Sequence, residues 1–119
     1  MKIRLLLLLG GGLLFFAAVS VALSANPVEN KGAAEFKIPG GTRGPVPFPH
    51  HLHQNTLVDC NICHSLYPQK PGIIEELKAQ GKLKKKQVMN TQCTKCHKQK
   101  KNEGVKAGPT TCAKCHIKE

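Results

Sequence analysis

Hydrophobic and polar positions divide this chain into one long apolar block and a mostly polar remainder. Leu5 to Leu23 is apolar, broken only by Gly10 to Gly12 and Ser20. Beyond it branched aliphatic residues are sparse. Residues 26–45 are rich in Gly, Pro and small polar side chains, with Pro39-Gly40-Gly41 and Gly44-Pro45, which predicts a flexible, extended arm. Val46-Pro47-Phe48-Pro49 should also be extended, because proline cannot donate to a ladder and turns the preceding residue away from helix. A short two-stranded ribbon within residues 34–48 suits this pattern. Ile73 to Leu83 is the one credible helix of the middle section. Pro71-Gly72 opens it, Glu75 and Glu76 lie in its first turn, and Lys82 and Lys84 to Lys86 lie at its end, all in the sense the helix dipole favours. Gly81 ends or frays it. Gly108-Pro109 marks a turn.

The apolar block reads as a targeting segment over residues 1–25. Lys2 and Arg4 form a basic start, and the small residues Ala22, Ser24 and Ala25 follow the apolar run. This is the pattern of a secretory signal peptide, with cleavage after one of those three. The alternative is an uncleaved membrane anchor, since the stretch is about long enough to span a bilayer. Either reading places residues 26–119 outside the cytoplasm, in the periplasm of a bacterium.

Composition leaves little to build a core from. The chain has 119 residues, 4% aromatic, and no Trp. A single small domain of this kind usually needs staples or metal groups. The six cysteines supply the means. They fall into Cys60-Asn-Ile-Cys63-His64, Cys93-Thr-Lys-Cys96-His97 and Cys112-Ala-Lys-Cys115-His116, with none left over. Cys-x-x-Cys-His is the attachment motif of c-type haem: two thiols bind the porphyrin vinyl groups and the His binds the iron. Short helices are expected around each motif. Zinc knots pair two Cys-x-x-Cys units per ion, so three units leave one over, and neither zinc nor a disulfide framework accounts for the repeated His. The reading is a triheme cytochrome whose covalent haems form much of the core of residues 46–119.

Six-coordinate haem iron needs a second ligand. Six His are present, and the three outside the motifs cluster as His50, His51 and His53, directly before the first motif. At least two of these are expected on iron.

Phe48-Pro49-His50-x-x-His53 followed by a haem motif resembles the class III multihaem cytochromes, the tetrahaem cytochromes c3 and triheme cytochromes c7. The haem count points to the c7 branch. The resemblance covers about Pro47 to Lys118 and is strong at the motifs and weak between them. It implies a small, mostly α and irregular fold with a short N-terminal β ribbon. It implies that His50 is distal ligand to the haem on Cys60, Cys63 and His64. His53 would then serve the haem on Cys93, Cys96 and His97, with Phe48 packed between those two haems. Family members commonly place a His four residues before the second motif, as ligand to the last haem. Here that position is Met89, the only Met besides the initiator. Met89 is therefore the expected partner of His116, which would raise the potential of that haem relative to bis-His ligation. The alternatives are His51, or a five-coordinate iron with Met89 as filler against a porphyrin edge.

The expected function is electron transfer by haem-to-haem hopping, without enzymatic activity. The alternative is a terminal reductase of metal or sulfur compounds acting at an exposed or five-coordinate haem. Propionates and lysines near the haems should make the potentials modestly pH-dependent. The formal charge is +11, and it is +9 once Lys2 and Arg4 leave with the signal peptide. About six propionates and three iron charges bring the loaded protein to roughly +6 oxidised and +3 reduced. That balance suits redox proteins with acidic docking surfaces, or an anionic membrane surface. Nucleic acid is an unsuitable partner for an exported chain. Lys82 and Lys84 to Lys86 could form part of such a docking surface, but the plainer reading is a solvated helix end.

Overall fold

A computed structural model describes residues 29–118; the segment read as a leader, residues 1–25, lies outside them. Among the described residues no helix is long and apolar enough to cross a membrane. The first element, β1 (Phe36–Ile38), pairs antiparallel with β2 (Val46–Phe48) in the register Phe36 to Phe48, Lys37 to Pro47 and Ile38 to Val46. Pro47 is tolerated because a two-stranded ribbon leaves each strand one edge that needs no donor. A 3₁₀ turn, Gly41–Arg43, joins the strands. The ribbon expected between residues 34 and 48 is thus present, and its first strand lies within the segment 26–45.

Five short helices follow. They are α1 (His50–Leu57), α2 (Asn61–His64), α3 (Ile73–Ala79), α4 (Thr94–Asn102) and α5 (Cys112–Cys115). A π-helical turn, Val88–Cys93, runs directly into α4. As expected, a short helix lies at each Cys-x-x-Cys-His motif. Between α1 and α2 the chain reverses over Val58, at φ 62° and ψ −33°, with the Asp59 N–H donating to Leu57 O at 2.7 Å. This is a γ-turn, a strained conformation for a β-branched residue. Asp59 Oδ1 then accepts from the Asn61 N–H at 2.9 Å and starts α2.

The middle helix is shorter than its pattern suggested. It ends at Ala79 and not at Leu83. Gly81 has φ 69°, its N–H donates to Lys78 O at 3.0 Å, and the Lys82 N–H donates to Leu77 O at 2.8 Å. That pair of bonds is a Schellman cap, which needs the left-handed residue glycine supplies most readily. Lys82 and Lys84 to Lys86 therefore lie beyond the helix, exposed to solvent. At the other end, Lys70 pairs with Glu76 of the first turns.

The protein's own core is minimal. Tyr67, at 7% exposure, is the only buried hydrophobic residue among those described, and no side chain is completely buried. Leu52, Ile62, Leu66 and Ile117 are more than one-third exposed. Such a chain cannot offset its conformational entropy from protein packing alone. Apolar surface of this kind, arrayed around the Cys-x-x-Cys-His helices, is suited to covering porphyrin.

Candidate haem-ligating site

The histidines carry one shared geometric feature. The Nδ1 atom of His64 lies 2.7 Å from Tyr67 O, that of His97 2.8 Å from Pro109 O, and that of His116 2.8 Å from Gly44 O. His50 Nδ1 lies 3.0 Å from Ala33 O and His53 Nδ1 2.9 Å from Pro49 O. A carbonyl oxygen can only accept, so each Nδ1 carries the hydrogen and each Nε2 carries the free lone pair. This is how ligating imidazoles are usually oriented, with the remote nitrogen presented to the metal. His51 is the exception. Its Nε2 lies 3.0 Å from Gly32 O and so carries the hydrogen, whereas the Nε2 of His50 keeps its lone pair and accepts a long bond from Gln54 Nε2 at 3.4 Å.

The same five histidines are grouped with partners. His50 and His64 have ring centroids 6.2 Å apart and planes at 82°. His53 and His97 are also 6.2 Å apart, with planes at 28°. Two imidazoles on opposite sides of one first-row metal ion, each bound through nitrogen at about 2 Å, have centroids about 6 Å apart. Both pairs thus have the spacing a single iron requires. His116 Nε2 lies 3.2 Å from Met89 Sδ. Nitrogen and sulfur on opposite sides of such an ion are separated by about 4.3 Å, so these two face each other with about 1 Å less than that. Methionine is the side chain best able to make up this difference, having three rotatable bonds. The residues present therefore fit three haems, two with paired imidazoles and one with imidazole and thioether.

Local backbone positions these groups. His50 and His53 lie on α1, where i and i+3 share a face. Phe48 at the end of β2 stacks on His53 at 4.4 Å and reaches His50 at 6.1 Å, so it touches both candidate distal ligands. Met89 lies in the π-helical turn just ahead of Cys93, and the Thr94 hydroxyl donates to its carbonyl at 2.9 Å. Single π turns of this kind are frequent at functional sites.

Three glycines fit closely around the imidazoles. A Cβ on Gly108 would come 2.5 Å from His97 Cε1, and one on Gly40 would collide with the His116 ring. Gly44, at φ 89°, supplies the carbonyl that holds His116, and a side chain there would strike the Ile117 backbone. These glycines were not singled out as site residues in the sequence, and neither was Tyr67. Their only sequence signal is punctuation: Pro39-Gly40-Gly41, Gly44-Pro45 and Gly108-Pro109.

All six cysteines are free of disulfides. Burial pushes the Cys93 thiol up to about 11, with the Cys63 and Cys115 thiols adding to the effect, which places the central motif near both others. Burial also raises Cys63, where the Gln92 amide, 3.5 Å from its sulfur, opposes it, and Cys115 is raised by burial too. At Cys63, Cys93 and Cys115 burial thus favours the neutral thiol over the thiolate. Among the described residues no three His, Cys, Asp or Glu side chains converge to hold a metal ion by themselves.

Comparison with known proteins identifies the family. Residues 46–117 match the family model described as cytochrome c7 and related cytochrome c. A cytochrome c7 of Geobacter metallireducens is 36% identical over 75 residues, covering 63% of this chain and 67% of its own. PpcC, a cytochrome c7 from Geobacter sulfurreducens, superposes with a TM-score of 0.52 at 28% identity, over 73% of this chain and all of its own. The triheme cytochrome PpcA of the same organism gives 0.52 at 30% identity, over 72% of this chain and all of its own.

Proposed function

Because the chain belongs to the cytochrome c7 family, of multihaem c-type electron-transfer proteins, we propose that it is a periplasmic electron carrier in which three haems relay electrons between redox partners. The haems supply one-electron redox chemistry. The chain's contribution is to tether, ligate and space them. Cys60 and Cys63, Cys93 and Cys96, and Cys112 and Cys115 are the thioether attachments. His64, His97 and His116 are the proximal ligands. His50, His53 and Met89 are the distal ligands of the first, second and third haem in chain order. The observation that carries this reading is the common orientation of five imidazoles, each with Nδ1 on a backbone carbonyl, which leaves Nε2 as the nitrogen with a lone pair, together with the spacing of His50 from His64 and of His53 from His97.

Saturated ligation leaves no iron position for a substrate, which favours carrier over reductase. Fixed imidazole orientation keeps the ligand set the same in both oxidation states. Methionine at the third haem gives it the highest potential of the three. Residues 1–25 act as the export signal and residues 46–119 as the haem domain, and the segment 26–45, read as an arm, joins that domain through β1, Ala33 and Gly44. The basic charge favours partners with acidic surfaces, and exposed lysines such as Lys84, Lys85, Lys95 and Lys98 are available to meet them. PpcA's structure is described as revealing the origin of a redox-Bohr effect, and a modest pH dependence of potential is proposed for this chain as well.

The test is a reductive titration of the purified haem-loaded protein with carbon monoxide present. Uptake of three electrons with no carbon monoxide adduct supports a saturated carrier. An adduct at one haem would identify an open iron and shift the reading to a terminal reductase.

A further inference from the structure

Ahead of β1, the carbonyls of four successive residues accept hydrogen bonds from α1. Lys31 O accepts from Gln54 Nε2 at 2.9 Å, and Gly32 O from His51 Nε2 at 3.0 Å. Ala33 O accepts from His50 Nδ1 at 3.0 Å, and Ala34 O from the His51 backbone N–H at 3.0 Å. The Gln54 amide closes the set, because its Oε1 also accepts from the Lys31 N–H at 3.1 Å, while its Nε2 lies 3.4 Å from His50 Nε2, a longer contact that iron on that nitrogen would replace and that leaves the two bonds to Lys31 in place. A side-chain amide here pairs with a backbone unit as a neighbouring strand would. The segment is exposed and begins before residue 46, where the family match starts.

We propose that Gln54 is a positioning residue, which straps residues 31–34 to α1 so that Ala33 fixes the plane of the His50 ring and with it the electronic character of the first haem. This rests on His50 and His64 being the ligands of that haem. Three further contacts support it. Gly32 has φ 73°, and a Cβ there would lie 3.6 Å from His50 Cε1. The strap therefore turns against the imidazole at a residue whose backbone suits glycine. Phe36 sets its ring edge-on to His50 at 5.7 Å and 64°. His51 is consumed in the strap, which explains a third histidine in a cluster that needs two ligands.

The consequence is an asymmetry between the two bis-imidazole sites. The His50 and His64 planes are crossed at 82°, while His53 and His97 are within 28° of parallel. Crossed imidazoles leave the iron π orbitals nearly degenerate and give ferric low-spin haem a strongly anisotropic paramagnetic resonance. Near-parallel imidazoles split those orbitals and give a rhombic signal. His53 takes its Nδ1 acceptor from Pro49 in its own first turn, so its orientation is independent of the strap.

The test is low-temperature electron paramagnetic resonance of the full-length oxidised holoprotein, together with hydrogen exchange of the Lys31 and His51 amides. The expected wild-type spectrum holds one strongly anisotropic and one rhombic bis-imidazole signal. Gln54→Ala should speed exchange at both amides and remove or shift the anisotropic signal alone, and Gln54→Glu, which keeps the acceptor for Lys31, should fall between. Gly32→Val, on the exposed segment, should act like Gln54→Ala. Faster exchange with an unchanged anisotropic signal in both variants overturns the proposal, and so does unchanged amide protection in Gln54→Ala. His50→Ala separates the two levels of the argument. If it leaves the anisotropic signal in place, the ligand assignment fails, and not only the strap.

Discussion

Phe48 and His53 stack with ring centroids 4.4 Å apart and planes at 28° across the junction between β2 and α1. The same phenyl ring meets Phe36 at 5.2 Å, so the ribbon is fastened to the helix that carries both proposed distal histidines. Phe48→Ala should cost about 2 kcal/mol in denaturant unfolding of the loaded protein, the value of one half-buried aromatic. Phe48→Leu should recover more than half of that. The midpoints of the first two haems should shift while the third stays in place.

Gly40 and Gly44 lie against the His116 segment, the proposed proximal side of the third haem. Gly40→Ala forces a methyl into the His116 ring, and Gly44→Ala places one against the Ile117 backbone at φ 89°. Each should destabilise the protein by about 1–3 kcal/mol, the usual range for overpacking. Each should also produce a high-spin fraction assignable to the haem on Cys112 and Cys115. Gly104→Ala, at positive φ with open space around it, is the control and should leave all three haems low-spin.

Val58 holds the reversal between α1 and the first motif at positive φ although it is β-branched and 65% exposed. Strain of this kind costs about 1–3 kcal/mol, part of which glycine returns through its larger unfolded-state entropy. Val58→Gly should therefore raise stability by about 1 kcal/mol in thermal unfolding. A loss of stability would mean that the turn is not strained in solution.

Glu76 is held below the ordinary carboxylate range first by its hydrogen bond to Lys70 and then by that residue's charge. A depressed carboxyl contributes stability that is complete above its unfolded pKa and is lost as pH falls through the folded value. Amide exchange in α3 should accordingly quicken on acidification below about pH 4.5, the ordinary value for Glu. In Lys70→Met most of that acid dependence should disappear. The pair is solvent-exposed, so the effect should be small and should weaken further in salt.

The attachment chemistry was legible because it is covalent and local: two thiols and an imidazole must lie within five positions. The His50–His53 cluster stands out in the sequence because three histidines in four positions have few other uses, and Met89 because no other internal methionine exists; the structure sets His50 by His64, His53 by His97 and Met89 by His116. The carbonyls that orient the imidazoles were not legible. Tyr67, Pro109, Gly44 and Ala33 act through backbone oxygen, which every residue has, so the sequence carries no mark of them. The role of His51 was hidden for the same reason. Gly81 does end the middle helix; the bound at Leu83 overshot because the left-handed cap at Gly81 already stops the regular turns at Ala79.

The contact between Met89 and His116 distinguishes the third site from the other two. It is tested by the visible to near-infrared spectrum of the oxidised, haem-loaded protein compared with that of Met89→His. The expected result is a far-red sulfur-to-iron charge-transfer band in the wild type that is absent from the variant, with the potential of the third haem falling toward the other two. Absence of the band from both proteins would contradict thioether ligation and leave Met89 as packing beside a differently ligated or open iron.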